Sequence, residues 1–407
     1  MSAGNETHLE RNWLQVTPQR DCTGANFERG VIDMNISVGG QYTFVPSKSY
    51  FRIRLKLKNL SGASPPVESK VEAGDEIAFA DDVCANLFNN CYFRAGGSDC
   101  SSMVNYVSQG HVLKQRLSRP KAWQNSIGRD AFGIEASKTN RFADAGAYNE
   151  KDFIFQPPIG MFDVEGGLGA GQYRISMNPN SNYKRACVEG GVLASTGTAG
   201  YGFDVTDLQF FACIEKNDKP STGVERLYLS EMQIQSKKYS KQLDFTVPPS
   251  TKALTIFVQR ADAGSSTDLP LTKFKSEDSG NSEDEGITHL QLTYANTNKP
   301  STNWASSYVA LSNQMTQRYL DTQIACGLLS SEGGTETFAE WEERGGIYHF
   351  NFERDADDRC SHLQLQMDFA VGTFTKTRNV FVAAHYTRTC EITRTNGMVS
   401  SVTSLSV

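Results

Sequence analysis

Residues 51–58, Phe-Arg-Ile-Arg-Leu-Lys-Leu-Lys, alternate apolar and basic without a break. Successive side chains of a β-strand point to opposite faces, so Phe51, Ile53, Leu55 and Leu57 are predicted to line a core. Arg52, Arg54, Lys56 and Lys58 then share the outer face. Shorter apolar runs recur at residues 77–80, 92–94, 153–155, 173–177 and 208–214, and again at 254–259, 290–294, 347–352, 363–369, 380–386 and 390–395. Clusters of Gly, Pro, Asn and Asp separate them. Many short strands with turn signals between them predict an all-β sandwich or barrel. One helical period stands out: Tyr308, Leu311, Met315 and Tyr319 fall on one helix face. Residues 263–286 are acidic and Ser-rich and read as a long surface loop.

The pattern repeats. Phe44-Val45-Pro46-Ser47 and Phe245-Thr246-Val247-Pro248-Pro249-Ser250 each precede a strand, and Pro46 and Pro248 lie 202 residues apart. The same offset relates Tyr92 to Tyr294, Tyr106-Val107 to Tyr308-Val309, and Gln115-Arg116 to Gln317-Arg318. Two tandem copies of one β-fold are the reading, each with a short helix after its early strands. The first copy's helix falls in residues 103–117, where the period is weaker and Gly110 interrupts it. After the helices the offset decays, and Tyr173 is paired with Tyr348. The Lys-, Asp-, Pro- and Gly-bearing stretch 216–224 separates the copies. This predicts an N-terminal arm at 1–28, a first unit at 29–218 and a second at 219–407.

Composition narrows the class. The 407 residues carry 40 Lys+Arg against 46 Asp+Glu, a net charge of −6, which excludes a basic nucleic-acid binder. With 23 Phe and 15 Tyr the chain is too aromatic for a disordered one. No apolar run approaches the ~20 residues of a membrane-spanning helix. The polar start is not a signal peptide; it reads as a flexible arm with one anchor pair, Trp13 and Leu14. The nine cysteines are scattered with no C-x-x-C, which suits buried thiols better than zinc or redox pairs.

Catalytic signatures are missing. The six histidines form no H-x-H or H-E-x-x-H, and there is no G-x-S-x-G. Gly166-Gly167-Leu168-Gly169-Ala170-Gly171 lacks the lysine and spacing of a phosphate loop and reads as a loop between strands. Two acidic clusters, Glu340/Glu342/Glu343 around Trp341 and Asp355/Asp357/Asp358, read as solvated turns, with Glu342 or Asp355 the candidate acid of a glycan hydrolase. The stripe Arg52, Arg54, Lys56, Lys58 has three readings: contact with a phosphate backbone, a charged outer face that blocks edge pairing, or a partner for acids on a neighbouring subunit. No metal, cofactor or catalytic residue is assigned.

Several segments, in this order, resemble the double jelly-roll major capsid proteins of double-stranded DNA viruses, closest to the polinton-like virus and adintovirus branch. They are Gly74-Asp75-Glu76-Ile77-Ala78-Phe79-Ala80, Asn86-Leu87-Phe88 and Phe93-Arg94-Ala95-Gly96-Gly97; then residues 153–163, which carry Pro157-Pro158; then Phe245-Thr246-Val247-Pro248, Leu290-Gln291-Leu292-Thr293-Tyr294 with Pro300, Gln317-Arg318-Tyr319, and residues 383–400. The resemblance spans roughly residues 30–400. It implies two tandem eight-stranded jelly rolls with short helices in their loops. It further implies a homotrimer of pseudo-hexameric shape that tiles an icosahedral shell, with penton and minor capsid proteins as partners and the virion as location. It implies no specific nucleic-acid sequence binding and leaves an internal membrane open. Trp13, Leu14, Arg52, Arg54, Lys56 and Lys58 are the candidate inter-subunit or inner-face contacts. The alternatives are a two-jelly-roll glycan hydrolase and a lectin-like binding protein.

Overall fold

The computed structural model describes residues 12–60, 68–69, 77–133, 150–190, 200–265, 269–274, 287–299, 311–327, 335–352, 360–369 and 376–405. The first half runs β1 (Asn12–Val16), β2 (Ile32–Val38), β3 (Tyr42–Phe44), β4 (Tyr50–Leu60), β5 (Glu68–Ser69), β6 (Ile77–Phe79), α1 (Val83–Asn86), β7 (Phe88–Ala95) and β8 (Ser98–Met103). It continues with α2 (Val107–Ser118), β9 (Glu150–Phe155), β10 (Gly171–Pro179), β11 (Val188–Gly190) and β12 (Gly200–Lys216). The second half runs β13 (Gly223–Lys238), β14 (Gln242–Thr246), β15 (Thr251–Arg260), β16 (Ile287–Tyr294), β17 (Thr297–Lys299), α3 (Leu311–Ala325), α4 (Phe338–Glu343), β18 (Ile347–Asn351), β19 (His362–Phe369), β20 (Arg378–Thr395) and β21 (Met398–Leu405).

The alternation in β4 does what its pattern predicts. Phe51, Ile53, Leu55 and Leu57 are buried, and the intervening basic residues are only partly so. The sheets give the topology. In the first half one sheet has the order β1-β12-β4 with β9 on β4, and the other β2-β10-β7-β8. In the second half the orders are β13-β20-β15-β18 and β14-β19-β16-β17. Counting the eight principal strands of each half in chain order, both read 1-8-3-6 and 2-7-4-5. That is the jelly roll, an antiparallel sandwich whose first strand pairs with its last. The chain is therefore two jelly rolls in tandem.

The sequence offset is the shadow of this duplication. Pro46 and Pro248 each precede the third principal strand, β4 and β15, and β7 corresponds to β16 and α2 to α3; the strand just before Pro248 is β14, the counterpart of β2 and not of β3. Tyr173, however, sits in β10, whose counterpart is β19; Tyr348 lies in β18, the counterpart of β9. Pairing those two tyrosines matched neighbouring strands rather than equivalent ones. The arm also needs correction. Residues 12–16 form the first strand of the first roll, pairing antiparallel with residues 210–214 of β12, just as β13 pairs with β20. β1 has no fully buried side chain, so its apolar pattern was too weak to announce a strand.

Runs 380–386 and 390–395 form one 18-residue strand, β20, and this strand serves two cores. Val380, Val382 and Ala384 belong to the core of the second roll, together with Leu254, Ile256 and Leu292. Cys390 and Ile392, with Leu229 of β13 and Val399 and Val402 of β21, belong to the core of the first roll. In the other direction Val112 and Leu113 of α2 pack into the second core. Each roll thus completes the other.

Candidate assembly surfaces and the seam between the rolls

The outer face of the first roll carries the basic stripe, and the fold supplies it with acids. Arg52 Nη2 donates to Asp207 Oδ2 (3.0 Å) and to Gln209 Oε1 (2.7 Å) on β12. Arg54 makes a two-point contact with Asp152 of β9, Nε to Oδ1 at 2.7 Å and Nη2 to Oδ2 at 3.2 Å. The Arg54 guanidinium holds the Asp152 carboxyl below its ordinary value. Lys58 pairs with Asp204, and Lys56 stands in register between Asp204 and Glu150. The acids that answer the stripe are on neighbouring strands of the same sheet, which weighs against a phosphate backbone as its partner. Such half-exposed pairs stabilise by only ~0.2–1 kcal/mol each.

The same face holds rings that strand alternation alone does not bring together. Trp13 lies 5.3 Å from Tyr50, Tyr50 stacks on Phe211 at 5.5 Å, and Arg52 sits 5.5 Å over the Phe211 ring. Trp13 remains 49% exposed, a large apolar surface left to solvent. Leu14 points the other way and packs, partly buried, against the first core. Of the six candidate contacts, five therefore share one face and Leu14 instead anchors β1. Asp152, Asp204, Asp207, Tyr50 and Phe211 are the residues sequence reasoning missed. Only cross-strand register, set over separations of about 100–160 residues, assembles them.

The other sequence candidates are structural. Glu340 accepts from Thr337 N (2.8 Å) and pairs with Lys121, capping α4. Trp341 is buried and donates from Nε1 to Ile347 O at 3.2 Å. The side chains of Glu342 and Glu343, and Asp355, Asp357 and Asp358, lie outside the described residues. Among the described residues no cluster of three His, Cys, Asp or Glu is placed to hold a metal. No described helix is long and apolar enough to cross a membrane. Two clefts of about 270 and 260 Å³, one beside Pro248, Tyr386 and Arg388 and one beside Asn105, Gln109 and Gln259, have no His, Cys or carboxylate in their walls.

The glycine-rich loop is a joint between the rolls. Gly169 has φ +110°, a conformation that disfavours any side chain, and a Cβ there would come within 3.0 Å of Arg394 Nε. Arg394 Nη2 donates to Leu168 O at 2.9 Å, and Val399 N donates to Ala170 O at 2.8 Å. Nearby Gly160 presses so closely on β13 that a Cβ would meet Ser230 O at 2.6 Å.

Charges are buried at this seam. Arg116 of α2 grips Glu336, Nε to both carboxylate oxygens at 3.0 Å and Nη2 to Oε1 at 2.9 Å, with both side chains fully buried. Arg344 lies 3.8 Å from Glu336 and 3.8 Å from Asp82. First-roll Asp82 and Arg116 thus face second-roll Arg344 and Glu336, an acid and a base from each side. Neither oxygen of Asp82 accepts a well-formed hydrogen bond: the Gln115 amide reaches toward it but meets His111 Nε2 at 2.6 Å, and His111 Nε2 stops 3.6 Å from Asp82. Burial pushes the Asp82 carboxyl up to about 7 and the His111 imidazole down to about 3. Farther along, Glu231 of β13 accepts from Ser101 Oγ of β8, and burial raises it too to about 7.

No protein-family model matches the sequence, and no curated protein does. Solved structures do match. A cryo-EM structure of the Sputnik virophage aligns at TM-score 0.61 with 12% identity, covering 97% of this chain and 88% of that one. The capsid of the virus PBCV-1 aligns at 0.58 with 11% identity over 100% and 99%. The mavirus major capsid protein aligns at 0.55 with 11% identity over 97% and 90%. The class is therefore defined: the chain has the double jelly-roll fold of viral major capsid proteins. Beyond that class, what it shares with these neighbours in particular is the whole architecture, both rolls in one alignment.

Proposed function

We propose that the protein is a viral major capsid protein. Three copies associate into a capsomer with six jelly rolls and pseudo-sixfold outline, and capsomers tile an icosahedral shell around a double-stranded DNA genome. The observation that carries this reading is the duplicated 1-8-3-6 and 2-7-4-5 topology, spanning nearly the full length of solved capsid proteins. Two rolls that share core residues across one seam give a chain with internal pseudo-symmetry, and three such chains close a six-sided ring. The face bearing Trp13, Tyr50 and Phe211 serves as a contact between copies, with the charge-balanced stripe beside it; an exposed aromatic anchor ringed by polar groups suits such a contact. Penton and minor capsid proteins complete the shell, and the virion is the location. The order of the quoted segments favours the polinton-like branch. The glycan-hydrolase alternative needs two convergent carboxylates; its candidate acids, Glu342 and Asp355, lie outside the described side chains, and Glu340 beside Glu342 is committed to Thr337 and Lys121.

The test is mass and shape in solution. A species three times the 44.9 kDa chain, with six-sided particles by electron microscopy, is expected. Trp13→Ala is expected to weaken association while leaving the fold intact. A monomer at every concentration overturns the reading.

A further inference from the structure

We propose that the seam between the two rolls is a protonation-operated latch whose two titrating groups are Asp82 and Glu231. The geometry carries it. Each carboxyl belongs to one roll and is sealed beneath the other. Asp82 sits at the N-terminal end of α1, 1% exposed, under Arg344. Glu231 sits on β13, 3% exposed, under Ser101 and the backbone N–H of Gly160. Helix α2 touches both sites, with His111 and Gln115 beside Asp82 and Lys114 acting on Glu231.

The surroundings decide which protonation state the closed seam prefers. Asp82 faces Asp81, His111, Gln115 and, from the second roll, Arg344 with Glu336 behind it. His111 stays neutral, so it offers Asp82 no countercharge. Arg344 is divided between two carboxylates at 3.8 Å each, too far for a hydrogen bond to either. Arg344 Nη2, Arg116 Nη1 and Gln115 Oε1 are likewise buried without a hydrogen-bond partner. Around Glu231 stand Lys114, Arg388, Cys91 and Tyr386. Lys114 is already paired with Asp163 at 2.6 Å. Both carboxyls therefore rest in the seam with their charge incompletely answered, and a proton satisfies them better than their neighbours do.

The sign follows. Each group binds its proton more tightly in the closed seam than in water. Ionising it favours any state in which the seam has opened to solvent. Linkage with a closed-seam value of about 7 gives about a tenfold rise in the opening equilibrium per carboxyl between about pH 6 and about pH 8. The two together give about a hundredfold. The latch closes in mild acid and loosens above neutrality.

Hydrogen exchange of the full-length protein at about pH 6 and about pH 8, corrected for intrinsic rates, tests this. Peptides from α2, residues 335–344, β13 and β21 are expected to lose protection by about ten- to a hundredfold at the higher pH. Asp82→Asn suits the positive φ of 53° at that site, and Glu231→Gln keeps an acceptor for Ser101. Each variant is expected to remove about tenfold of the change, and the double variant all of it. Arg344→Gln supplies a further readout: with the countercharge gone the Asp82 carboxyl holds its proton more tightly in the closed seam, so the loss of protection continues to higher pH than in the wild type. An unchanged seam in the wild type, or a pH response that survives in the double variant, overturns the proposal. Loss of protection in acid instead would implicate His349 and His385, and would equally overturn it.

Discussion

Removing one member of the buried Arg116–Glu336 pair tests how the seam holds. Both side chains are fully buried, with three contacts of 2.9–3.0 Å between them. Breaking such a pair leaves an uncompensated buried charge and costs ~3–5 kcal/mol. The two single variants are not equivalent. Glu336→Gln leaves two guanidiniums, Arg116 and Arg344, facing Asp82 alone. A guanidinium does not deprotonate, so that variant has no chemical escape. Arg116→Met leaves carboxylates, which relieve themselves by taking up protons, and Arg344, now 3.8 Å away, can turn to Glu336. Glu336→Gln is therefore expected near ~5 kcal/mol and Arg116→Met near ~3. Those costs correspond to melting-temperature losses of roughly 4–6 °C when all 407 residues melt as one unit. The Arg116→Met cost should shrink as pH falls toward about 6, whereas that of Glu336→Gln should not. The double variant Arg116→Met/Glu336→Leu restores one acid to one base and should lie well above the sum of the singles. Denaturant melts of the four proteins at two pH values read all of this. If Arg116→Met proves the more costly at about pH 8, or the singles simply add, the reasoning about the seam is wrong.

Two further outcomes follow from the structure. His349 and His385 both bond the buried Thr255 hydroxyl, at 2.8 and 2.7 Å, and burial holds them at about 4 and about 3. Their folded values are depressed, so their contribution is full above the unfolded value of ~6.5 and is lost as pH falls, about 2 kcal/mol each by about pH 5; acid melts of His385→Gln should show a shallower loss than wild type. Gly160→Ala forces β13 backbone aside and should cost ~1–3 kcal/mol in urea melts, a neutral result showing that this turn has room to move.

Several strands that bury one face were legible in the sequence, though not β2, whose Ile32, Met34, Ile36 and Val38 alternate into the core and were passed over. β4 was read to its individual side chains, and the Gly166–Gly171 stretch was read as a loop. The duplication was legible as far as α2 and α3, because insertions had not yet disturbed the spacing. Three things were not. β1 and β13 are edge strands with much exposed surface, so their periodicity is weak. The acids that answer Arg52, Arg54 and Lys58 come from strands far away in the chain. The reciprocal charges of Asp82, Arg116, Glu336 and Arg344 are invisible until the rolls meet, because nothing in a local window marks a charge as buried.

The hairpin of β20 and β21 has a consequence for synthesis. Val399 and Val402 fill the core of the first roll, yet they are made long after β12 ends at Lys216. A chain leaving the ribosome can pair the first roll's eight strands but cannot finish packing it. Until residues 398–405 emerge, an apolar patch on that roll stays open, just when a growing polymer is most prone to bind its neighbours. Completion of the first roll thus reports that synthesis has passed β21, and chains that stop before it lack a finished surface on that roll.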